Sequence, residues 1–204
     1  MFKADNLFFR IVNKVFDVVA VSILWVICCI PIITIGASTT ALYRTVYKNI
    51  RQNRGYCYKG FFECFRENFK NTVPLSIIFF ALTVINLWDI MVSYNYLNKV
   101  SSFAGFQLVF LGFWILIMTW AIWTFALTAR FENSWKNTMK NGGLMFFAHL
   151  PVTFGIAVVF GVSVFLVYYI PILIMVVPVG AMFLNSLMLE KVFIKYIENE
   201  DEKE

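Results

Sequence analysis

Charge is scarce in this 204-residue chain: 14% of its residues are charged, against roughly a quarter in an ordinary soluble domain. The charges are also segregated. None lies in 18–43 or 141–189, and 71–129 holds only Asp89 and Lys99. That distribution excludes a water-soluble domain, a nucleic-acid binder and a disordered chain. Histidine is nearly absent, with His149 alone. The four cysteines fall as Cys28-Cys29 within an apolar run and as Cys57 and Cys64 in a basic segment. No closely spaced zinc ligand set results, and a reducing compartment disfavours structural disulfides. No metal and no cofactor is expected.

Apolar residues fill the space that charge leaves: 60% of the chain is hydrophobic and 19% aromatic. Five apolar runs stand out, at 18–43, 73–96, 103–129, 144–169 and 170–189. Each approaches the roughly 20 residues that a helix needs to cross a bilayer. Helices are the open-chain way to satisfy the backbone in hydrocarbon. The expected fold is therefore an all-α integral membrane bundle of about five transmembrane helices, forming one domain over 1–204. Runs four and five meet at Ile170-Pro171 with almost no loop, which predicts a tight antiparallel hairpin.

The first run is interrupted between Pro31 and Gly36, and its second half is polar, with Ser38, Thr39, Thr40 and Arg44. Proline removes a backbone donor, so a break or sharp kink is predicted there, with freed carbonyls met by hydroxyls at Thr34, Ser38 or their neighbours. Small residues at 36–41 suit close helix packing. The run either crosses, giving five spans, or turns back at the break and leaves both its ends on one side. Crossing is the favoured expectation.

Short cytoplasmic loops collect Lys and Arg. The segment 44–70 carries Arg44, Lys48, Arg51, Arg54, Lys59, Arg66 and Lys70 against Glu63 and Glu67. The segment 130–140 carries Arg130, Lys136 and Lys140 against Glu132. Both are predicted to be cytoplasmic, and by parity so is the acidic tail 190–204. The connections near 97–103 and at 168–171 fall outside, with Tyr94, Tyr96, Tyr168 and Tyr169 as interfacial anchors. The protein is thus expected in the cell membrane as a multi-pass chain with a cytoplasmic C-terminus.

Within 1–17 the polar residues Lys3, Asn6, Arg10, Asn13, Lys14 and Asp17 recur at spacings of three and four, opposite Leu7, Phe8, Ile11, Val12, Val15 and Phe16. That pattern predicts an amphipathic helix rather than a cleavable leader. A weak internal echo links Phe65-Arg66-Glu67-Asn68-Phe69-Lys70-Asn71 to Trp135-Lys136-Asn137-Thr138-Met139-Lys140-Asn141. Each reads as a short elbow at the inner interface, with Arg66, Lys70, Lys136 and Lys140 toward lipid phosphates.

The string Leu24-Trp25, then Cys28-Cys29-Ile30-Pro31-Ile32-Ile33-Thr34-Ile35-Gly36-Ala37-Ser38-Thr39-Thr40-Ala41-Leu42-Tyr43, resembles the N-terminal signature of the YesL family. The aromatic-rich segment ending at Phe65 to Lys70 and the overall length match the same pattern. The resemblance implies a small membrane protein of Gram-positive type and of unknown function. Such proteins are often encoded beside carbohydrate ABC importers and sensor kinases. It implies a neighbourhood and supplies no catalytic residues.

Two constellations could carry chemistry. Gly36-Ala37-Ser38 with His149 has the residue types of an intramembrane serine protease but lacks the following glycine and any evident oxyanion donor. Close packing is the stronger reading. Asp89 is the one acid deep within a predicted span, where a carboxylate costs about 3 kcal/mol on insertion scales. Asn86, three positions earlier, and Asn185 in the last run are its candidate partners, forming either a hydrogen-bond clamp or a proton or solute site. Two function classes follow. One is a noncatalytic accessory or regulatory component, with the bilayer and a carbohydrate ABC importer or sensor kinase as partners and no nucleic acid. The alternative is a small solute transporter or permease built around Asp89.

Overall fold

The computed structural model describes the backbone of residues 7–52, 55–97 and 104–201 and the side chains of 14–52, 55–94 and 107–197. Lys3, Asn6, Leu7, Phe8, Arg10, Ile11, Val12, Asn13, Arg54, Tyr96 and Lys99, named above, lie outside the described side chains. The described residues form seven α-helices and no strand: α1 (Leu7–Cys29), α2 (Ile35–Thr45), α3 (Cys57–Leu97), α4 (Ala104–Arg130), α5 (Trp135–Ala148), α6 (Leu150–Tyr169) and α7 (Val177–Asp201). Four of them, α3, α4, α6 and α7, contain stretches long and apolar enough to cross a membrane. Their outward side chains are apolar, as at Ile85, Trp88, Leu108, Phe154 and Phe165, all exposed. With no water to hydrate a backbone at that depth, the helix is the form such runs must take.

The expected break in the first run is present. α1 stops at Cys29, a single 3₁₀ turn spans Ile32–Thr34, and α2 begins at Ile35. The freed carbonyls are met locally: Thr34 Oγ1 donates to Cys28 O and to Pro31 O, both at 2.6 Å, and Ser38 Oγ donates to Thr34 O at 2.8 Å. Beyond the break the chain turns back. Trp25 Nε1 reaches Thr39 Oγ1 at 3.4 Å, and at the other end Asp17 comes within hydrogen-bonding reach of the Cys57 thiol. The two legs are therefore antiparallel, and the run that was expected to cross forms a hairpin with both ends on the basic side. The reason lies at the break: Pro31 lacks the N–H that would continue α1, and Thr34 Oγ1 takes the freed carbonyls of Cys28 and Pro31, so the chain reverses there.

α2 is the hub of the bundle. Gly36, Ala37, Ser38, Thr40, Ala41, Leu42, Tyr43 and Thr45 are all buried, with α3, α4, α1 and α7 around them. The small residues permit the approach, since a Cβ on Gly36 would collide with Ser76 Oγ and come to 2.6 Å from the Phe125 ring. The Gly36 N–H, one of the first-turn donors that a helix cannot satisfy itself, donates instead to Ser76 Oγ at 2.9 Å.

Two expected boundaries shift. The segment 65–71 makes no separate elbow, because α3 runs unbroken for 41 residues with Pro74 inside it. Cys57, Phe61, Cys64 and Thr72 are buried, so tertiary packing holds the first turns helical ahead of the apolar stretch. At about 60 Å, α3 is long enough to project past the hydrocarbon at its basic end. The segment 135–141 does open a helix of its own, but α5 continues to Ala148, so the fourth run divides at His149. α6 then starts with Pro151 in its first turn, where a missing N–H costs nothing. Runs four and five are joined by one 3₁₀ turn at Pro171–Met175. The core is formed by Val21, Trp123, Ile156, Leu189 and Phe193, all fully buried, with Leu75, Phe79, Ala121 and Phe125 in a second cluster.

Two outcomes are expected. In a cysteine-free background, Lys14→Cys and Lys59→Cys should react with an impermeant thiol reagent from the same side of the membrane; reaction from opposite sides would overturn the hairpin. Gly36→Leu should destabilise the detergent-solubilised protein by at least the ~1–3 kcal/mol of an overpacked core. Ser38→Ala, losing one local hydrogen bond, should cost about 1 kcal/mol. Thermal unfolding of the two variants reads the difference.

Candidate functional site

Arg130 is the first charge that α4 meets after its apolar stretch, and it marks where the helix leaves the hydrocarbon. Its Nε lies 3.6 Å from Glu190 Oε2, and its guanidinium carbon stands 4.8 Å from the centre of the Tyr47 ring. The Tyr43 hydroxyl donates to Glu190 Oε1 at 2.8 Å. Glu190 is 1% exposed, so its charge is compensated inside the bundle rather than by water. A buried carboxylate is tolerated only with such partners. Arg51, in the single π-helical turn Val46–Arg51 that follows α2, adds a bond from Nη1 to Ser186 O at 3.2 Å. These contacts join α2, α4 and α7 at the basic end.

Above this cluster opens a cavity of about 760 Å³ between the end of α2, one flank of α3 and the 131–134 loop. Tyr43, Arg44, Tyr47, Lys48 and Gln52 form one wall, Glu67, Asn68 and Asn71 the second, and Thr128, Arg130, Glu132, Asn133 and Ser134 the third. Arg44 is ion-paired with Glu67. Asn68 turns its Nδ2 back to Cys64 O at 3.1 Å, and Thr128 donates to Thr124 O. The side chains of Lys48, Gln52, Asn71, Glu132, Asn133 and Ser134 make no hydrogen bond or ion pair with the described residues. A smaller recess of about 330 Å³ shares Arg44 and Lys48 and continues to Tyr56, Lys59 and Glu63.

The residues singled out from sequence are distributed otherwise. Pro31, Thr34, Gly36 and Ser38 build the hairpin turn, as described. Arg66, Lys70, Lys136 and Lys140 are all exposed at the basic end, with Lys136 Nζ 5.4 Å from the Trp135 ring centre. No hydrogen bond joins Asp89, Asn86 and Asn185. Asp89 is half-buried, and Asn86 and Asn185 are buried with Oδ1 atoms lacking partners. α7, which carries Asn185, packs mainly on α1, α2 and α6. Ser38 and His149 are also apart: Ser38 bonds within its own turn, while His149 Nε2 lies 3.2 Å from Tyr196 Oη and its ring stacks on Trp123. Among the described residues no group of three His, Cys, Asp or Glu could hold a metal ion.

The residues that sequence reasoning missed are Tyr43, Arg130 and Glu190. In sequence Glu190 opens the acidic tail directly after an apolar run, yet the helix continues through it and buries it. The one available signal was its position: a carboxylate adjoining Leu189 on a helix must lie level with whatever base ends the neighbouring span.

Four long apolar helices, a helical hairpin whose second leg is buried and a polar basic end define a multi-pass α-helical membrane protein. Over residues 18–90, which contain the hairpin and most of α3, the chain matches the family described as "Protein of unknown function, DUF624", the YesL family. That match bears out the resemblance read from the 24–43 string. No curated protein and no solved structure matches the chain.

Truncating Arg130 strands Glu190 in the interior, whereas neutralising Glu190 leaves Arg130, at 30% exposure, free to turn to water. Arg130→Ala should therefore cost about 3–5 kcal/mol, the scale for a broken buried pair. Glu190→Gln, which can retain the Tyr43 hydrogen bond, should cost about 1 kcal/mol. Denaturation midpoints of the two variants in detergent check this order, and equal losses would argue against an electrostatic role.

Proposed function

We propose that the protein is a noncatalytic accessory or regulatory component of the cell membrane, associated with a carbohydrate uptake or sensing system such as an ABC importer or a sensor kinase. The observation that carries this reading is the placement of polarity. Charged side chains converge on a cavity at the basic end, while behind Tyr43 and Glu190 the fully buried side chains of the described residues are apolar, such as Val21, Trp123 and Ile156, or uncharged polar, such as Ser22, Thr40 and Asn185. A site open toward one face suits contact with a partner or a solute on that face. The basic clusters at 44–70 and 130–140 support a cytoplasmic position for that face. The carbohydrate association rests on what the YesL resemblance implies.

The transporter alternative centred on Asp89 gains no support from its unjoined partners. Affinity purification in mild detergent tests the proposal. A stoichiometric membrane partner is expected to co-purify, and to be lost when Lys59 and Lys136 are both replaced by Glu. Solute flux by the protein alone in liposomes would overturn the accessory reading.

A further inference from the structure

The basic end as a whole is strongly cationic, yet the cavity within it is electrically balanced. Its walls carry three cations and two carboxylates, and a third carboxylate is buried behind them: Arg44 is bound by Glu67, Arg130 is held between the buried Glu190 and the Tyr47 ring, and Lys48 and Glu132, of opposite sign, stand unpaired among the described residues. An anionic ligand would gain Lys48 but face Glu67 and Glu132; a cationic one would face Arg44, Lys48 and Arg130. With Arg130 offset by Glu190 behind it, the fixed charges around the cavity favour neither charge type.

Besides Lys48 and Glu132, what remains without a partner among the described residues is a set of planar amides and a hydroxyl: Gln52, Asn71, Asn133 and Ser134. Each amide offers donors on one side and an acceptor on the other, and the hydroxyl offers both. Ligands that use such pairs fully carry groups that donate and accept at once, which is the property of alcohols. An apolar ligand would leave every one of these groups unpaired, and that costs more than the contact returns. The volume, about 760 Å³, lies within the ~300–1,000 Å³ of small-molecule sites.

We infer that this cavity binds a neutral polyhydroxylated group, a sugar or polyol, through Gln52, Asn71, Asn133 and Ser134. The inference deepens the accessory reading by naming the ligand class its basic-end cavity takes, and it rests on that reading only for the setting in which the ligand is met. A free oligosaccharide and the sugar headgroup of a glycolipid present the same chemistry.

The test is calorimetric titration of the full chain, purified in a detergent without a sugar headgroup, with maltotriose. A parallel arm uses co-sedimentation with vesicles containing diglucosyl diacylglycerol. Saturable binding in either arm is expected, and the arm that shows it identifies the source. Asn71→Ala and Asn133→Ala, at exposed positions, should each weaken binding about tenfold, the loss of ~1.4 kcal/mol, with unchanged thermal unfolding. Lys48→Met should shift affinity less than threefold. Absence of binding in both arms would overturn the inference, as would glucose 6-phosphate binding more tightly than maltotriose and losing its affinity in Lys48→Met. A missing partner in the purification would sink the accessory reading and leave this binding intact; a partner without sugar binding would do the reverse.

Discussion

Backbone polar groups that leave a helix inside hydrocarbon must find partners within the protein, and the architecture follows from how this chain meets that demand at Pro31. The interruption leaves carbonyls at Cys28, Pro31 and Thr34 and donors at the start of α2. Thr34 and Ser38 satisfy the carbonyls from within the turn. The Gly36 donor has no local acceptor and takes Ser76 Oγ from α3. That bond requires contact between helices that only a glycine allows. So one covalent defect fixes a hairpin, the hairpin places α2 against α3, and the small residues 36–41 become the centre of the bundle.

The same placement creates the polar end. Because α2 descends from the break to the basic side, Tyr43 and Tyr47 arrive beside the last turn of α4, and Glu190 of α7 closes the group. A carboxylate buried to 1% exposure could hardly be retained in a well-packed interior without a cation and a hydroxyl beside it. Arg130 in turn is oriented by two partners, a carboxylate and an aromatic face. Its side chain becomes a fixed wall of the cavity rather than a mobile surface charge. With Arg44 held by Glu67, most of the charge lining the cavity is internally neutralised. The uncommitted amides are then left to define what the cavity can recognise.

The all-α membrane class was legible because it depends on composition along the chain: charge-free runs near 20 residues admit few structures other than helices. The break between Pro31 and Gly36 was equally legible, since proline and glycine act through the local backbone. The family resemblance lay in the same contiguous string. The boundaries at 65–73 and 144–150 were not legible, because burial of Cys57, Phe61 and Cys64 extends α3 through its basic turns, and the division at His149 separates two helices inside one apolar run.

The candidate site divides along the same line. Sequence pointed to Asp89, Asn86 and Asn185 from their rarity within apolar runs, a one-dimensional property that carries no information on which helices are neighbours; α7, which carries Asn185, packs mainly on α1, α2 and α6. It overlooked Tyr43, Arg130 and Glu190, which stand at run boundaries where polar residues are ordinary. What the sequence by itself determined is the membrane class, the helical segments, the location of the break and the basic end, all set by local periodicity and charge. Only the tertiary structure decided that the first run turns back, and that residues 43, 130 and 190 meet beneath a balanced polar cavity. Those outcomes depend on the antiparallel packing of α2 among four other helices, an arrangement of long-range contacts that local propensity does not encode.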